Sequence, residues 1–258
     1  MFIKPDRVIE AEIISGIILI PGSAEGRAGY YALDTGTART VLNLSYLQHL
    51  TDNAGSYEIS EYIHDERCAK AKSTKEISLF CGGEFIRVYD PAMINMACME
   101  TPLRSISIDL CFLGSIGMDL LGRSRMVIDS PARKVIINPL TEYQHLETVP
   151  FQLERVPIVT VQIDSKNYRF VLGTAANHFV MDQASAPASL LEINENGMTH
   201  LIPVLTFGQS QYYGLKGILT DLSEIRKTLR VDGIIGSQLL HDRVCLFDFK
   251  QEALHFLK

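Results

Sequence analysis

Two stretches of this chain occur twice, in the same order, and that duplication constrains the fold more than any other feature. Leu33-Asp-Thr-Gly-Thr-Ala-Arg-Thr-Val-Leu42 aligns without gaps to Leu172-Gly-Thr-Ala-Ala-Asn-His-Phe-Val-Met181. Gly114-Ser-Ile-Gly-Met-Asp-Leu-Leu121 aligns in the same way to Gly233-Ile-Ile-Gly-Ser-Gln-Leu-Leu240. The separations are 139 and 119 residues, so the first copy holds about 20 extra residues between its two motifs. Extending the second pair sets Asp129 opposite Asp248 and Val135-Ile-Ile137 opposite Leu254-His-Phe256. Repetition at this period implies two units built on one plan. A chain of 258 residues has room for two units of roughly 110–140 residues each.

Each copy reads as β-rich. Ile158-Val-Thr-Val-Gln-Ile-Asp164 alternates apolar and polar from Val159 on, Ser165-Lys-Asn167 supplies turn residues, and Tyr168–Leu172 is largely apolar again. The first copy follows the same plan, with Val8–Ile20 leading through Pro21–Gly26 into Tyr30–Leu33. Ile77–Val88 predicts another hairpin, turning at Gly82-Gly83. Met118–Leu121 and Ser237–Leu240 suit short helices, each followed by a strand, Arg125–Asp129 or Val244–Phe249, and a return at Lys134–Ile137 or Ala253–Leu257. The matching Asp129 and Asp248 are read as a shared structural turn, and Asp119 as a solvated or capping carboxylate.

The predicted organisation is an N-terminal unit over 1–138, a connection over 139–152 rich in proline and polar residues, and a C-terminal unit over 153–258. The charged segment Asp52–Glu76 is expected to be a helix or mobile loop capping the first unit, as a lid or as decoration. A net charge of −6 without a clustered Lys/Arg stretch argues against nucleic acid as a partner. Cys68, Cys81, Cys98, Cys111 and Cys245 show no CxxC or Cys/His spacing, and seven scattered histidines add no metal-ligand pattern, so free thiols and no metal are expected. There is no signal-peptide pattern at the N-terminus, and Ile13–Ile20 is too short to span a bilayer, so a cytoplasmic protein without a membrane partner is expected. No phosphate-binding loop, Rossmann fingerprint or serine-nucleophile elbow is present.

Chemistry enters at the first repeated motif. The run Tyr30-Tyr-Ala-Leu-Asp-Thr-Gly-Thr-Ala38 presents one aspartate at a turn of small residues, and Ile116-Gly-Met-Asp-Leu-Leu121 follows later as an apolar–glycine helix segment. This combination resembles the retropepsin and pepsin-like aspartic proteases, over most of the chain. The resemblance implies an all-β, bilobal, acid-protease-like fold with two pseudo-symmetric lobes in one chain, short helices and a cleft between the lobes. It also implies roles: Asp34 is one of two catalytic carboxylates, Thr35 ties the two loops together through its hydroxyl, Gly36 lets the backbone approach closely, and Thr37 bonds the carboxylate. No cofactor is implied.

The family's mechanism is a shared proton. Two carboxylates about 3 Å apart cannot both ionise, so one stays protonated while the other activates water. The second loop departs from that pattern. Gly173 stands where the aspartate belongs, Ala175 replaces the glycine and Ala176 replaces the last hydroxyl residue, while Thr174 is retained. The expectation is a peptidase relative with absent or weak hydrolysis that holds an extended peptide in the interlobe cleft, as a monomer in preference to a dimer. The alternative is an active endopeptidase whose second carboxylate comes from Asp182 or from a dimer partner; a non-carboxylate partner, His178, is a further candidate. Asp182 is otherwise read as an exposed carboxylate ending a strand, and a purely structural or partner-binding protein with Asp34 as a relic is a third reading.

Overall fold

The alternation that predicts strands is realised directly in Pro157–Ile163, where Val159, Val161 and Ile163 are buried while Thr160 and Gln162 face solvent. The structure, a computed structural model, describes residues 5–47, 56–58, 70–73, 76–96, 110–193 and 199–258. The turn after this strand falls on Asp164-Ser165, both with positive φ (51° and 63°), one residue earlier than the expected Ser165-Lys-Asn167. Two consecutive left-handed residues twist a hairpin in the sense its strands need. The expected Gly82-Gly83 turn has the same character, joining Glu76–Cys81 to Glu84–Tyr89 with φ of 59° and 82°.

Pro21 was expected in a turn and lies inside a strand, Ile17–Ala24. The reason is local. On one side that strand pairs along its length with Arg27–Leu33. On the other it pairs with Glu12–Ile14 up to Leu19 and with Glu76–Cys81 only from Gly22. Pro21 falls in the gap between these two partners, where a missing N–H orphans nothing.

Among the described residues the chain is all-β, with three sheets. A ten-stranded sheet uses strands from residues 12–116, and an eight-stranded sheet uses strands from 152–235. The third has six strands in the order Arg7–Glu10, Lys134–Ile137, Arg125–Asp129, Val244–Asp248, Ala253–Leu257, His145–Pro150, three from each half of the chain. Helices are short: Leu44–Leu47, Met118–Leu121 and Ser223–Leu229, with 3₁₀ turns at Gln183–Ser185 and Ser237–Leu239. The expected helix at Ser237–Leu240 is thus a single 3₁₀ turn. One cluster of buried side chains, including Ile20, Tyr31, Leu33 and Ile116 from the first half and Phe170, Leu172, Ile235 and Phe247 from the second, runs through both.

The duplication extends to the hydrogen-bond register. Phe112–Ile116 lies parallel to Arg27–Leu33, with Ile116 opposite Leu33, and antiparallel to Val41–Asn43, with Gly114 opposite Leu42. Gly233–Ile235 repeats both pairings, with Ile235 opposite Leu172 and Gly233 opposite Met181. Both aspartates of the second motif also do the same work. Asp129 accepts a bond from the Ala132 amide at 2.9 Å, and Asp248 from the amides of Lys250 and Gln251 at 3.1 and 3.0 Å.

The stretch 139–152 does more than connect. It supplies the edge strand His145–Pro150, paired with Ala253–Leu257, and Tyr143 packs against the apolar group Val127, Leu246 and Leu257 on the six-stranded sheet. Glu147 from this strand accepts bonds from the Gln209 amide and, at 2.8 Å, from the Ser210 hydroxyl at the tip of the hairpin Thr199–Phe207/Ser210–Thr220. Arg7 does the corresponding job in the first half, donating to the Gly82 carbonyl at 2.6 Å. Within the charged segment 52–76, the described residues form two antiparallel strands, Ser56–Glu58 and Lys70–Ser73, in place of the expected helix or loop. The remainder of that segment, and its expected role as a lid, lie outside the described residues.

The second-motif glycines are close-approach positions. A Cβ on Gly117 would overlap the Arg39 carbonyl and lie 2.8 Å from the Thr40 nitrogen; one on Gly236 would lie 2.5 Å from the Ala176 oxygen and 2.6 Å from the His178 oxygen. Because the obstacles are backbone, they cannot rotate away. Gly117→Ala is therefore expected to lower the unfolding free energy by about 3 kcal/mol or more, read as a reduced midpoint in urea; a loss below about 1 kcal/mol would show that this backbone contact is not close.

Candidate functional site

The two repeated loops meet face to face. Asp34 leaves the end of Arg27–Leu33 and Gly173 leaves the end of Lys166–Leu172. Each is anchored by the parallel strand beside it, Asp34 N–H donating to the Ile116 carbonyl and Gly173 N–H to the Ile235 carbonyl, both at 3.0 Å. Each loop exit is fixed in the same manner, since the Thr37 carbonyl accepts from Met118 N–H at 2.9 Å and the Ala176 carbonyl from Ser237 N–H at 2.7 Å.

Thr35 and Thr174 lock the loops together. The Thr35 hydroxyl donates to the Leu172 carbonyl at 2.5 Å and accepts from the Thr174 amide at 3.2 Å. Reciprocally, the Thr174 hydroxyl donates to the Leu33 carbonyl at 2.5 Å and accepts from the Thr35 amide at 3.1 Å. Both side chains are fully buried, so all four backbone groups depend on these hydroxyls. At Gly36 a Cβ would stand 3.0 Å from the Gly173 Cα, so a larger residue would press the two loops apart by a few tenths of an ångström.

Asp34 is half-buried at this junction. Its Oδ1 accepts from the Gly36 amide at 2.8 Å, and the Ala175 amide adds a smaller stabilising pull on the carboxylate. The Thr37 hydroxyl, expected to bond the carboxylate, donates to the Arg39 carbonyl at 3.2 Å. The enclosing protein desolvates the carboxylate and pushes its pKa from 3.8 up to about 6, against the opposing pull of the two amides.

This shift has a definite sign in stability. Between about pH 4 and 6 the folded protein holds a proton that the unfolded chain has released, so stability falls as pH rises through that window. The full effect is at most about 3 kcal/mol, less because the group keeps some contact with water. In Asp34→Asn this decline is expected to disappear. Urea unfolding of both proteins at about pH 4 and about pH 7.5 checks it; an identical pH dependence in the two would contradict the raised pKa.

The other candidates are placed elsewhere. Asp182 ends Phe179–Asp182 as expected, but it is buried rather than exposed, bonded to Arg226 at 2.9 Å and to the Leu222 amide at 3.2 Å. The Ser223–Leu229 helix brings that arginine in, and its charge makes burial tolerable. His178 is exposed in the bend before Phe179, and Asp119 accepts from the Thr40 hydroxyl at 2.8 Å. Ala176 is half-buried beside Gly173. Ala175 was read only as a departure from the family pattern. Its amide serves Asp34, and its methyl packs with Ile14, Leu19, Ala32 and Val41 of the first half. Residue type hides a backbone donor, although the loop duplication itself was a clue, because Ala175 is the counterpart of Gly36.

Among the described residues, Cys81 and Cys245 are buried free thiols, no group of three or more His, Cys, Asp or Glu could hold a metal ion, and no helix is long and apolar enough to cross a membrane. Cys68 and Cys98 lie outside the described residues. The sequence matches no protein-family model, and no curated protein shows significant similarity to it.

Proposed function

We propose that this chain is an aspartic-peptidase-like protein of bilobal acid-protease fold with an incomplete dyad, which holds an extended peptide between its halves with little or no hydrolysis. The observation that carries the reading is the pair of interlocked loops in which a single carboxylate, Asp34, stands across from Gly173. Water activation by a shared proton needs a second carboxylate, and loss of one member of such a unit lowers rates by roughly 10⁴–10⁶. Binding does not need the pair. A peptide laid between two sheets is held by backbone hydrogen bonds, with alternate side chains in pockets on either side. We place the protein in the cytoplasm as a monomer with a peptide or protein ligand and no nucleic acid or membrane partner. A dimer that presented a second Asp34 would have to displace the loop containing Thr174, and Asp182 is already engaged by Arg226.

The test pairs binding with cleavage. Calorimetry with a pepstatin-type inhibitor should detect binding, while a denatured protein incubated from acidic to neutral pH should stay intact. Cleavage that disappears in Asp34→Asn would overturn the reading in favour of a working peptidase. Absence of binding by the inhibitor and by extended peptides alike would remove the peptide-holding role.

A further inference from the structure

Among the described residues His255 is the only buried histidine, at 5% exposed. It sits on the face of the six-stranded sheet that Tyr143 covers, opposite Leu246 on one neighbouring strand and Thr148 on the other. The Thr148 hydroxyl lies 2.9 Å from its Nδ1. The ring of His145 covers its own, with centroids 3.9 Å apart and planes inclined by 21°. His145 is exposed and begins the edge strand His145–Pro150. Two titratable rings thus lie face to face, one from the connection between the halves and one from the last strand, Ala253–Leu257.

A neutral pair of rings stacks favourably, and a single proton sets one cation over one ring. A second proton places two positive charges about 4 Å apart, which lowers the affinity for it about tenfold or more. The charged groups that act on the His255 imidazole are His145 from the edge strand, Asp248 from Val244–Asp248 and Arg125 from Arg125–Asp129. Burial first and His145 next hold the pKa of His255 below the ordinary histidine value; Asp248 pulls it up and Arg125 pulls it down. Asp248 and Arg125 form an ion pair at 3.0 Å, so their fields oppose each other at the ring. The part free to yield is the end of the edge strand. His145 pairs with Leu257 across a register shift that separates it from the rungs beginning at Glu147, whereas His255 is paired on both sides. Ahead of His145, the Gln144 carbonyl accepts from the Lys258 amide at 3.2 Å and Tyr143 packs on the sheet.

We propose that the stacked rings of His145 and His255 are a proton-operated latch, which holds residues 143–145 on the sheet while at most one ring is charged and releases them when both are. Release uncovers Val127, Leu246 and Leu257 and loosens the connection between the two halves in acid. The sign follows from linkage. The folded protein takes up the His255 proton less readily than the unfolded chain, so this contribution to stability is complete above about pH 6.5. It is lost as pH falls through the lower folded value. The effect opposes that of Asp34, whose raised pKa favours the folded protein in acid. The latch does not depend on peptide binding, because it lies on the six-stranded sheet and uses neither of the interlocked loops.

The Lys258 amide reports on the latch, because its bond to the Gln144 carbonyl breaks when the strand end lifts. Its hydrogen-exchange protection, corrected for the intrinsic effect of pH, is measured by NMR in the intact chain. The Asp182 amide, bonded to the Asp232 carbonyl at 2.8 Å, serves as the control. Between about pH 7.5 and about pH 5 the expected result is a loss of about tenfold or more at Lys258, with Asp182 unchanged. His145→Phe keeps a ring over His255 without the charge. In that variant the loss should shrink below about threefold, and the Hε1 resonance of His255 should titrate at higher pH. Lys258 protection that does not respond to pH, or an equal loss in His145→Phe, would overturn the latch. So would a His255 titration that the substitution leaves in place. A loss shared equally by Asp182 would mean that acid unfolds the whole protein, and would overturn it too.

Discussion

Replacing Gly173 by aspartate is expected to give this chain acid-dependent peptide cleavage. The backbone at position 173 is already set as it is at position 34, because each residue donates its amide to the equivalent carbonyl, Ile235 or Ile116, at 3.0 Å. Gly173 is also absent from the glycines with positive φ, so an aspartate there meets no left-handed backbone strain. The nearest obstacle to its Cβ is a side-chain methyl, Ile234 Cγ2 at 3.3 Å, which needs to yield only a few tenths of an ångström. The new carboxylate would emerge from a loop locked against that of Asp34, and two such groups at close range share one proton.

Removal of one member of a catalytic unit typically lowers the rate by about 10⁴–10⁶. Full recovery is not expected, because Ala175 and Ala176 still depart from the resembled pattern, and a gain on the order of 10³ is a reasonable floor. The measurement is cleavage of a denatured protein across acidic pH by Gly173→Asp, with Gly173→Asn as the control of equal size. The double variant Asp34→Asn/Gly173→Asp should be silent. A folded Gly173→Asp protein that cleaves no faster than its asparagine control would show that these loops do not form a latent peptidase centre.

What could be read ahead of the structure was mainly what the duplication encodes. Met118–Leu121, Lys134–Ile137 and Ala253–Leu257 have the expected boundaries because local pattern and the second copy point the same way. The Thr35–Thr174 lock was legible in half, from the resemblance at Thr35 and the retention of a threonine at 174. The features that escaped depend on partners far along the chain. Pro21 is accommodated by a gap between two neighbouring strands, and Asp182 is buried because Arg226, 44 residues away, meets it. The strand at His145–Pro150 exists only because Ala253–Leu257 lies beside it. No local pattern reports such pairings. The electrostatic state of Asp34 was hidden for another reason, since it depends on enclosure and on amides that carry no residue signature.

The lock itself makes the second large prediction. Thr35→Val keeps the shape of the side chain but leaves two buried backbone groups, the Leu172 carbonyl and the Thr174 amide, without partners. Thr174→Val does the same to the Leu33 carbonyl and the Thr35 amide. Each orphaned group costs about 1–3 kcal/mol, so each variant, with two such groups, should lose roughly 2–6 kcal/mol of unfolding free energy. The four bonds divide cleanly between the two hydroxyls, and their lengths match in pairs, so the two losses should agree within about 1 kcal/mol. Serine at either position keeps the hydroxyl and should recover most of the loss. In the double valine variant the loops are already free to part after the first substitution, so the combined loss should fall short of the sum. Urea unfolding of the three valine variants and the serine controls measures all of this. A Thr35→Val protein that is strongly destabilised beside an unaffected Thr174→Val would mean that the loops are not locked reciprocally, and a fully additive double variant would mean that the two halves of the lock do not yield together.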